Sequence, residues 1–171
     1  MKIFLIGMPS SGKSTLGLAL SELLGYGFFD LDKEITNAEA KSITEIFDQQ
    51  GEEYFRELEH LHLQKLISIN KDFVLACGGG TPCFYENINL MNKSGITVFL
   101  DIPLHEIQKR ILAEGSETRP LLANQPPELL QEKLAKLYQS RKVFYQQANL
   151  SITAADADAK MLAQLINSFK N

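Results

Sequence analysis

Two periodicities alternate along the chain. Short runs of apolar, β-favouring residues occur at Ile3 to Ile6, Phe28-Phe29, Phe73 to Cys77, Ile96 to Leu100 and Leu150 to Ile152, and each reads as a strand. Between them the apolar positions fall three and four apart. Leu16, Leu20, Leu23 and Leu24 make one helical stripe, with Gly25 placed to end it. Ser42-Ile43-Thr44-Glu45 has the spacing of a capping box and opens a helix, and Glu52 to Ile69 supplies a longer one with no proline or internal glycine. Another helix is predicted from Pro127 to Gln147, where Leu130, Leu134, Leu137 and Phe144 share a stripe with Arg141. Strands that alternate with helices pair in parallel, so the expected architecture is α/β in three layers, with a five-stranded parallel sheet between the helices.

One region breaks this rhythm. From about 113 to 127 the chain holds Gly115, Ser116, Asn124 and three prolines, which is long for a connection in a compact domain. A mobile lid is the functional reading, and an ordinary solvated loop is the plain alternative. No internal repeat is visible. At 171 residues, 44% of them hydrophobic, the chain is long enough for one substantial core and short for two, so a single domain over 1–171 is expected.

Charge removes several classes of partner. With a net charge of -4 and 22% charged residues, the chain has no broad basic surface of the kind nucleic acid requires. Cys77 and Cys83 sit too close together, and too far from any Cys/His cluster, for a zinc site or a disulfide framework, so reduced cytosolic thiols are expected. His60, His62 and His105 lack metal-ligand spacing and read as surface or helix-face residues. The first six residues hold fewer apolar positions than a secretory core, and no stretch approaches the roughly 18 apolar residues of a membrane-spanning helix. A soluble cytoplasmic protein without a membrane partner is expected.

The strongest chemical signal follows the first strand. Gly7-Met8-Pro9-Ser10-Ser11-Gly12-Lys13-Ser14 matches G-x-x-x-x-G-K-[ST] and leads directly into the Leu16 to Leu24 helix, which is the context a phosphate-binding loop needs. Backbone N–H groups from Ser10, Ser11, Gly12, Lys13, Ser14 and Thr15, with the positive end of the helix, are expected to surround the phosphates of ATP. Lys13 would neutralise β- and γ-oxygens. Ser14 would offer its hydroxyl to Mg²⁺, whose remaining waters need carboxylate partners, and Asp30 is the candidate.

Phe28-Phe29-Asp30-Leu31-Asp32 places two carboxylates at the end of the second strand, both on one face by period-two alternation. One suits metal and the other substrate; alternatively Asp32 only caps a helix beginning near Lys33. Gly78-Gly79-Gly80 after the third strand reads either as a close backbone approach to a ligand or as a tight turn. Arg141 lies on the inward stripe of its helix, where a guanidinium wants an anion, unless its stem packs and its head reaches solvent. Arg56 has Glu52 at i-4 and Glu59 at i+3, so an exposed helical ion pair explains it equally well.

Taken together, Gly7 to Thr15, Phe28-x-Asp30-x-Asp32, Ser42-Ile43-x-Glu45-Ile46-Phe47, Gly51-Glu52-x-x-Phe55-Arg56-x-x-Glu59, Gly78-Gly79-Gly80, Arg119-Pro120-Leu121-Leu122 and Arg141-x-x-x-Tyr145-x-x-Ala148 resemble the shikimate kinase family over about residues 3 to 150. The resemblance implies a P-loop kinase fold and Mg²⁺-dependent transfer of phosphate from ATP to the 3-hydroxyl of shikimate; a monomer is expected separately. It implies that the helices at about 33–62 shape the substrate side, that Arg56 and Arg141 hold the substrate carboxylate, that Asp32 contacts the hydroxyls and orients the attacking oxygen, and that Gly78, Gly79 and Gly80 line the substrate. It further implies that Arg119 closes over the phosphates from the lid and that Arg110 stacks on adenine. The family usually has glycine where Ser10 stands and threonine or serine where Cys77 stands, so this chain departs at both.

Two alternatives stay open at this level. Another small-metabolite P-loop kinase, such as a gluconate kinase or a nucleotide kinase of the adenylate type, would differ only on the acceptor side. A regulatory nucleotide-binding module would change shape without phosphorylating a metabolite, although the guanine-reading N-K-x-D pattern is absent.

Overall fold

The structure is a computed structural model that describes residues 1–114, 126–153 and 158–169. Five strands form it: β1 (Lys2–Ile6), β2 (Gly27–Asp30), β3 (Phe73–Ala76), β4 (Ile96–Asp101) and β5 (Leu150–Thr153). They lie in the order β2-β3-β1-β4-β5, and every neighbouring pair is parallel. Side chains along β1, β3 and β4 are almost all buried, because helices cover both faces of these central strands, whereas the edge strands β2 and β5 stay partly exposed. All five strands coincide with the apolar runs of the sequence.

Register sets the height of the functional segments. Leu5 and Asp30 both pair with Ala76, one from each side of β3. The loop after β1, the end of β2 and the glycine run after β3 therefore leave the sheet at one level, along its carboxyl edge, where open α/β folds bind ligands.

The helices are α1 (Lys13–Leu24), α2 (Leu31–Glu39), α3 (Ile43–Ile67), α4 (Asn87–Ser94), α5 (Leu104–Glu114), α6 (Pro127–Tyr145) and α7 (Ala159–Phe169), with a short 3₁₀ turn at Thr81–Cys83. Helix α1 ends at Gly25, whose φ of 67° lets the Tyr26 N–H return to the Ser21 carbonyl at 2.9 Å. Its buried face is Leu16, Gly17, Leu20 and Ser21, whereas Leu23 is 50% exposed, so the predicted stripe is rotated. Gly17 causes the rotation: a Cβ there would meet the Phe28 ring at 2.8 Å, and its absence lets that side of α1 lie close against the sheet.

Helix α3 begins at the predicted capping box. The Ser42 N–H donates to Glu45 Oε2 at 2.7 Å and the Glu45 N–H to Ser42 Oγ at 3.2 Å. At Gly51, with φ 83° and ψ 173°, the helical path breaks and restarts, so the two predicted helices are consecutive rods joined by one residue. Helix α2 departs from expectation. It starts at Leu31, with Asp30 as its N-cap accepting the Lys33 N–H at 3.3 Å. Asp32 thus lies in the first turn of α2 and neither continues β2 nor caps the helix. The segment of about 113–127 assigned as a lid falls largely outside the described residues.

Candidate active site

The loop between β1 and α1 wraps on its own atoms. Gly7 has φ 143° and a Cβ there would meet the Leu100 carbonyl oxygen at 2.8 Å, so no larger residue fits where the chain leaves β1. Ser10, where the family pattern expects glycine, also sits at positive φ, 57°. Lys13 is only 8% exposed. Its ammonium donates to the Met8 carbonyl at 2.8 Å, the Gly7 carbonyl at 3.2 Å and Ser11 Oγ at 3.3 Å, and this bracing fixes the loop's curvature around the lysine.

Ser14 Oγ donates to Asp30 Oδ2 at 2.6 Å. The pair joins the first turn of α1 to the end of β2 and sets a hydroxyl beside a carboxylate. Two hard oxygen donors side by side suit Mg²⁺, which takes few protein ligands and keeps several waters. Among the described residues no group of three or more histidine, cysteine and acidic side chains could form a closed cage. Arg110, on α5, reaches across to the same loop and donates to the Ser10 carbonyl at 3.2 Å.

The other end of the cleft is assembled around two buried arginines. Arg56 is 5% exposed and Glu59 1% exposed, which overturns the exposed helical ion pair. Arg56 Nη1 donates to Glu59 Oε2 at 2.6 Å, while its Nε and Nη2 donate to Glu52 Oε1 at 3.2 and 2.7 Å. These bonds use three of the five guanidinium N–H groups and leave one on each terminal nitrogen, a fork matched to a carboxylate. The guanidinium carbon lies 4.7, 5.4 and 5.9 Å from the ring centres of Phe84, Phe55 and Phe47, which hold its plane. Burial opposes the Arg56 charge, but the Glu59 and Glu52 carboxylates outweigh it and hold the pKa above the ordinary value.

Arg141, on α6, is 6% exposed. Among the described residues no salt bridge reaches it. Beside it, Tyr145 stacks on Phe99 at 5.0 Å and donates to the Gly79 carbonyl at 2.6 Å. Burial pushes the Tyr145 hydroxyl well up, against the pull of Arg141, so it stays a neutral donor that pins the glycine run.

The glycine run makes room for charge. A Cβ on Gly80 would lie 2.5 Å from Arg56 Nη1, one on Gly79 would lie 2.9 Å from Pro9 Cδ and 3.1 Å from Arg141 Nη1, and one on Gly78 would press on Glu59, Asp32 and Thr81. Each glycine thus clears a different charged side chain, a packing reason that neither the tight-turn nor the ligand-approach reading anticipated. Cys77, just before the run, points its thiol to Met91 Sδ at 3.6 Å, into the core, where burial pushes its pKa far up.

These groups border one cleft of about 870 Å³, whose lining includes Ser10 to Thr15, Asp30, Asp32, Arg56, Gly78 to Gly80, Arg110 and Arg141. That volume suits two small substrates side by side. Of the residues singled out in the sequence, Arg119 lies outside the described residues. Glu59, Phe84 and Thr81 were missed as site residues. Only Glu59 had a signal, its i+3 spacing from Arg56 within the Gly51-Glu52-x-x-Phe55-Arg56-x-x-Glu59 block.

The sequence profile described as shikimate kinase matches residues 9–170, and a shikimate kinase of Clostridium botulinum (strain 657 / Type Ba4) is 39% identical over 98% of this chain and 95% of its own length. The chain belongs to the shikimate kinase family. Its fold matches solved structures of family members closely. A shikimate kinase from Bacteroides thetaiotaomicron superposes with a TM-score of 0.89 at 32% identity, covering 100% of this chain and 99% of the other. One from Acinetobacter baumannii, in complex with shikimate, gives 0.86 at 34% identity over 99% and 92%. The family's P-loop kinase architecture is the one described above, in three layers around five parallel strands. Among the described residues no helix is long and apolar enough to cross a membrane.

Proposed function

We propose that this chain is a shikimate kinase that transfers the γ-phosphoryl group of ATP to the 3-hydroxyl of shikimate, as one domain over 1–171 acting as a cytoplasmic monomer. The observation that carries the reading is the cleft's polarity: a phosphate loop with its lysine at one end, two buried arginines and Asp32 at the other. Family membership and the shikimate-bound relative support the acceptor.

In this reading the loop amides of residues 10–15 and Lys13 bind the phosphates, and Arg110 packs against adenine. Ser14 and Asp30 would hold Mg²⁺, which when bound supplies charge neutralisation on the β- and γ-oxygens. The substrate carboxylate docks on the free fork of Arg56 and on Arg141, and Gly78 to Gly80 border the ring. Asp32 accepts a hydrogen bond from the 3-hydroxyl and takes its proton as the new P–O bond forms and the γ-phosphate leaves ADP. Alignment is its larger contribution, because phosphoryl transfer depends chiefly on positioning and charge stabilisation. By resemblance, Arg119 in the 113–127 lid adds a further cation over the phosphates.

The experiment is Mg²⁺-dependent ADP release with shikimate, quinate, gluconate, AMP or no acceptor. Strong stimulation by shikimate alone is expected. Stimulation by gluconate or AMP instead would keep the phosphate site and overturn the acceptor assignment, and no stimulation by any acceptor would favour a regulatory nucleotide-binding module.

A further inference from the structure

Behind the acceptor end, outside the cleft lining, sits a polar pair that the proposed chemistry does not use. Asn87 begins α4 and is fully buried, at 0% exposure. Its Nδ2 donates to the Thr81 carbonyl at 2.9 Å. A carbonyl can only accept, so this bond fixes which end of the amide is nitrogen and leaves Oδ1 as an acceptor. His60 Nδ1 lies 2.6 Å from that Oδ1, and it must therefore carry the hydrogen.

The pair ties down the turn that faces Arg56. Besides holding the Thr81 carbonyl through its side chain, Asn87 donates its backbone N–H to the Phe84 carbonyl at 2.9 Å. Thr81 and Phe84 carry this turn to the arginine's surroundings. Thr81 Oγ1 donates to Glu59 Oε1 at 2.5 Å, and the Phe84 ring faces the guanidinium at 4.7 Å. On the opposite side, His60 follows Glu59 directly on α3, and its ring packs on Tyr85 at 5.2 Å. One histidine thus links the helix that carries Arg56 and Glu59 to the turn that orients them.

We propose that His60 and Asn87 are positioning residues for the acceptor site: the His60–Asn87 hydrogen bond holds the Thr81–Phe84 turn against α3 and so sets the pose in which Arg56 presents its free fork to the substrate carboxylate. The inference rests on the reading that shikimate is the acceptor. It assigns His60 no contact with either substrate and no part in proton transfer. Its effect belongs to acceptor binding, and ATP binding at the far end of the cleft is untouched.

Two substitutions at half-buried His60 separate positioning from general loss of structure. His60→Ala removes the donor, and His60→Asn restores an N–H at nearly the Nδ1 position. Steady-state kinetics should show KM for shikimate raised about tenfold in His60→Ala, with kcat and KM for ATP within about twofold of wild type. His60→Asn should recover most of the shikimate affinity. Placed in an Arg56→Lys background, His60→Ala should add little, because both changes act on one interaction. An unchanged KM for shikimate in His60→Ala, a parallel rise in both KM values, or an Asn variant no better than Ala would overturn the proposal while leaving the kinase reading intact. Failure of wild type to turn over shikimate would overturn both.

Discussion

The two ends of the cleft are built in opposite ways. In the proposed reading the phosphate end comes mainly from one stretch, Gly7 to Thr15, braced on itself by the Lys13 bonds to Gly7, Met8 and Ser11, with Asp30 and Arg110 joining it from β2 and α5. The acceptor end gathers Asp32, Arg56, Glu59, Gly78 to Gly80, Phe84 and Arg141 from α2, α3, the turn after β3 and α6. A continuous site carries its geometry in local spacing. A gathered site depends on packing between elements, so its residues become interpretable only in pairs. The acceptor end also stores its charge differently at its two arginines: Arg56 is balanced by two carboxylates, whereas no salt bridge among the described residues reaches Arg141.

If this contrast is right, substitutions at the two ends should separate in the kinetics. The largest effect is expected from Lys13→Ala, which removes both the loop's brace and the phosphate cation, and should lower kcat/KM for ATP by about 10³-fold or more, with turnover falling alongside. A loss confined to the shikimate KM would erase the division between the ends. Asp32→Asn should reduce kcat by about 10²-fold with little change in KM for ATP, and unchanged turnover would remove Asp32 from the site.

Next in size, Arg141→Lys should raise KM for shikimate by about tenfold and leave KM for ATP nearly unchanged, because an ammonium loses the forked contact. Equal effects on both would place Arg141 elsewhere. The smallest effect sharpens the role of the glycine run. Gly80→Ala pushes a methyl against Arg56 and should raise KM for shikimate by about threefold to tenfold, with ATP kinetics preserved. Wild-type kinetics in that variant would mean that the guanidinium yields without cost to binding.

How much was legible in advance follows from the same contrast. β1, β3 and β4 were visible because buried parallel strands are continuous apolar runs, the more exposed β2 and β5 from the short runs Phe28-Phe29 and Leu150 to Ile152 between helical segments, and the phosphate loop because its geometry is local. The capping box at Ser42 was readable for that reason too. Period-two alternation placed Asp30 and Asp32 together at a strand end, but β2 stops at Asp30 because that residue caps α2, so the two carboxylates reach one cleft by different routes. Leu23 was assigned inward because helical spacing does not reveal that Gly17 pulls the opposite side of α1 onto the sheet. For Arg56 the residues alone left a surface ion pair and an anion-binding role open, because i-4 and i+3 carboxylates are common on exposed helices, and the phenylalanines packed around it show that it is enclosed. The glycine run pointed to the cleft that it lines but not to its packing cause, since most of the atoms it makes room for lie on α2, α3 and α6, with Pro9 and Thr81 besides.

In the proposed reading the acceptor end is built for a carboxylate. The most direct test compares kcat/KM for shikimate with that for its methyl ester at fixed saturating ATP, since the ester keeps every hydroxyl and removes only the negative charge. A loss of about 10²-fold or more is expected, carried mainly by KM, because two buried guanidinium groups would lose the anion they orient on. Comparable efficiency for acid and ester would contradict it.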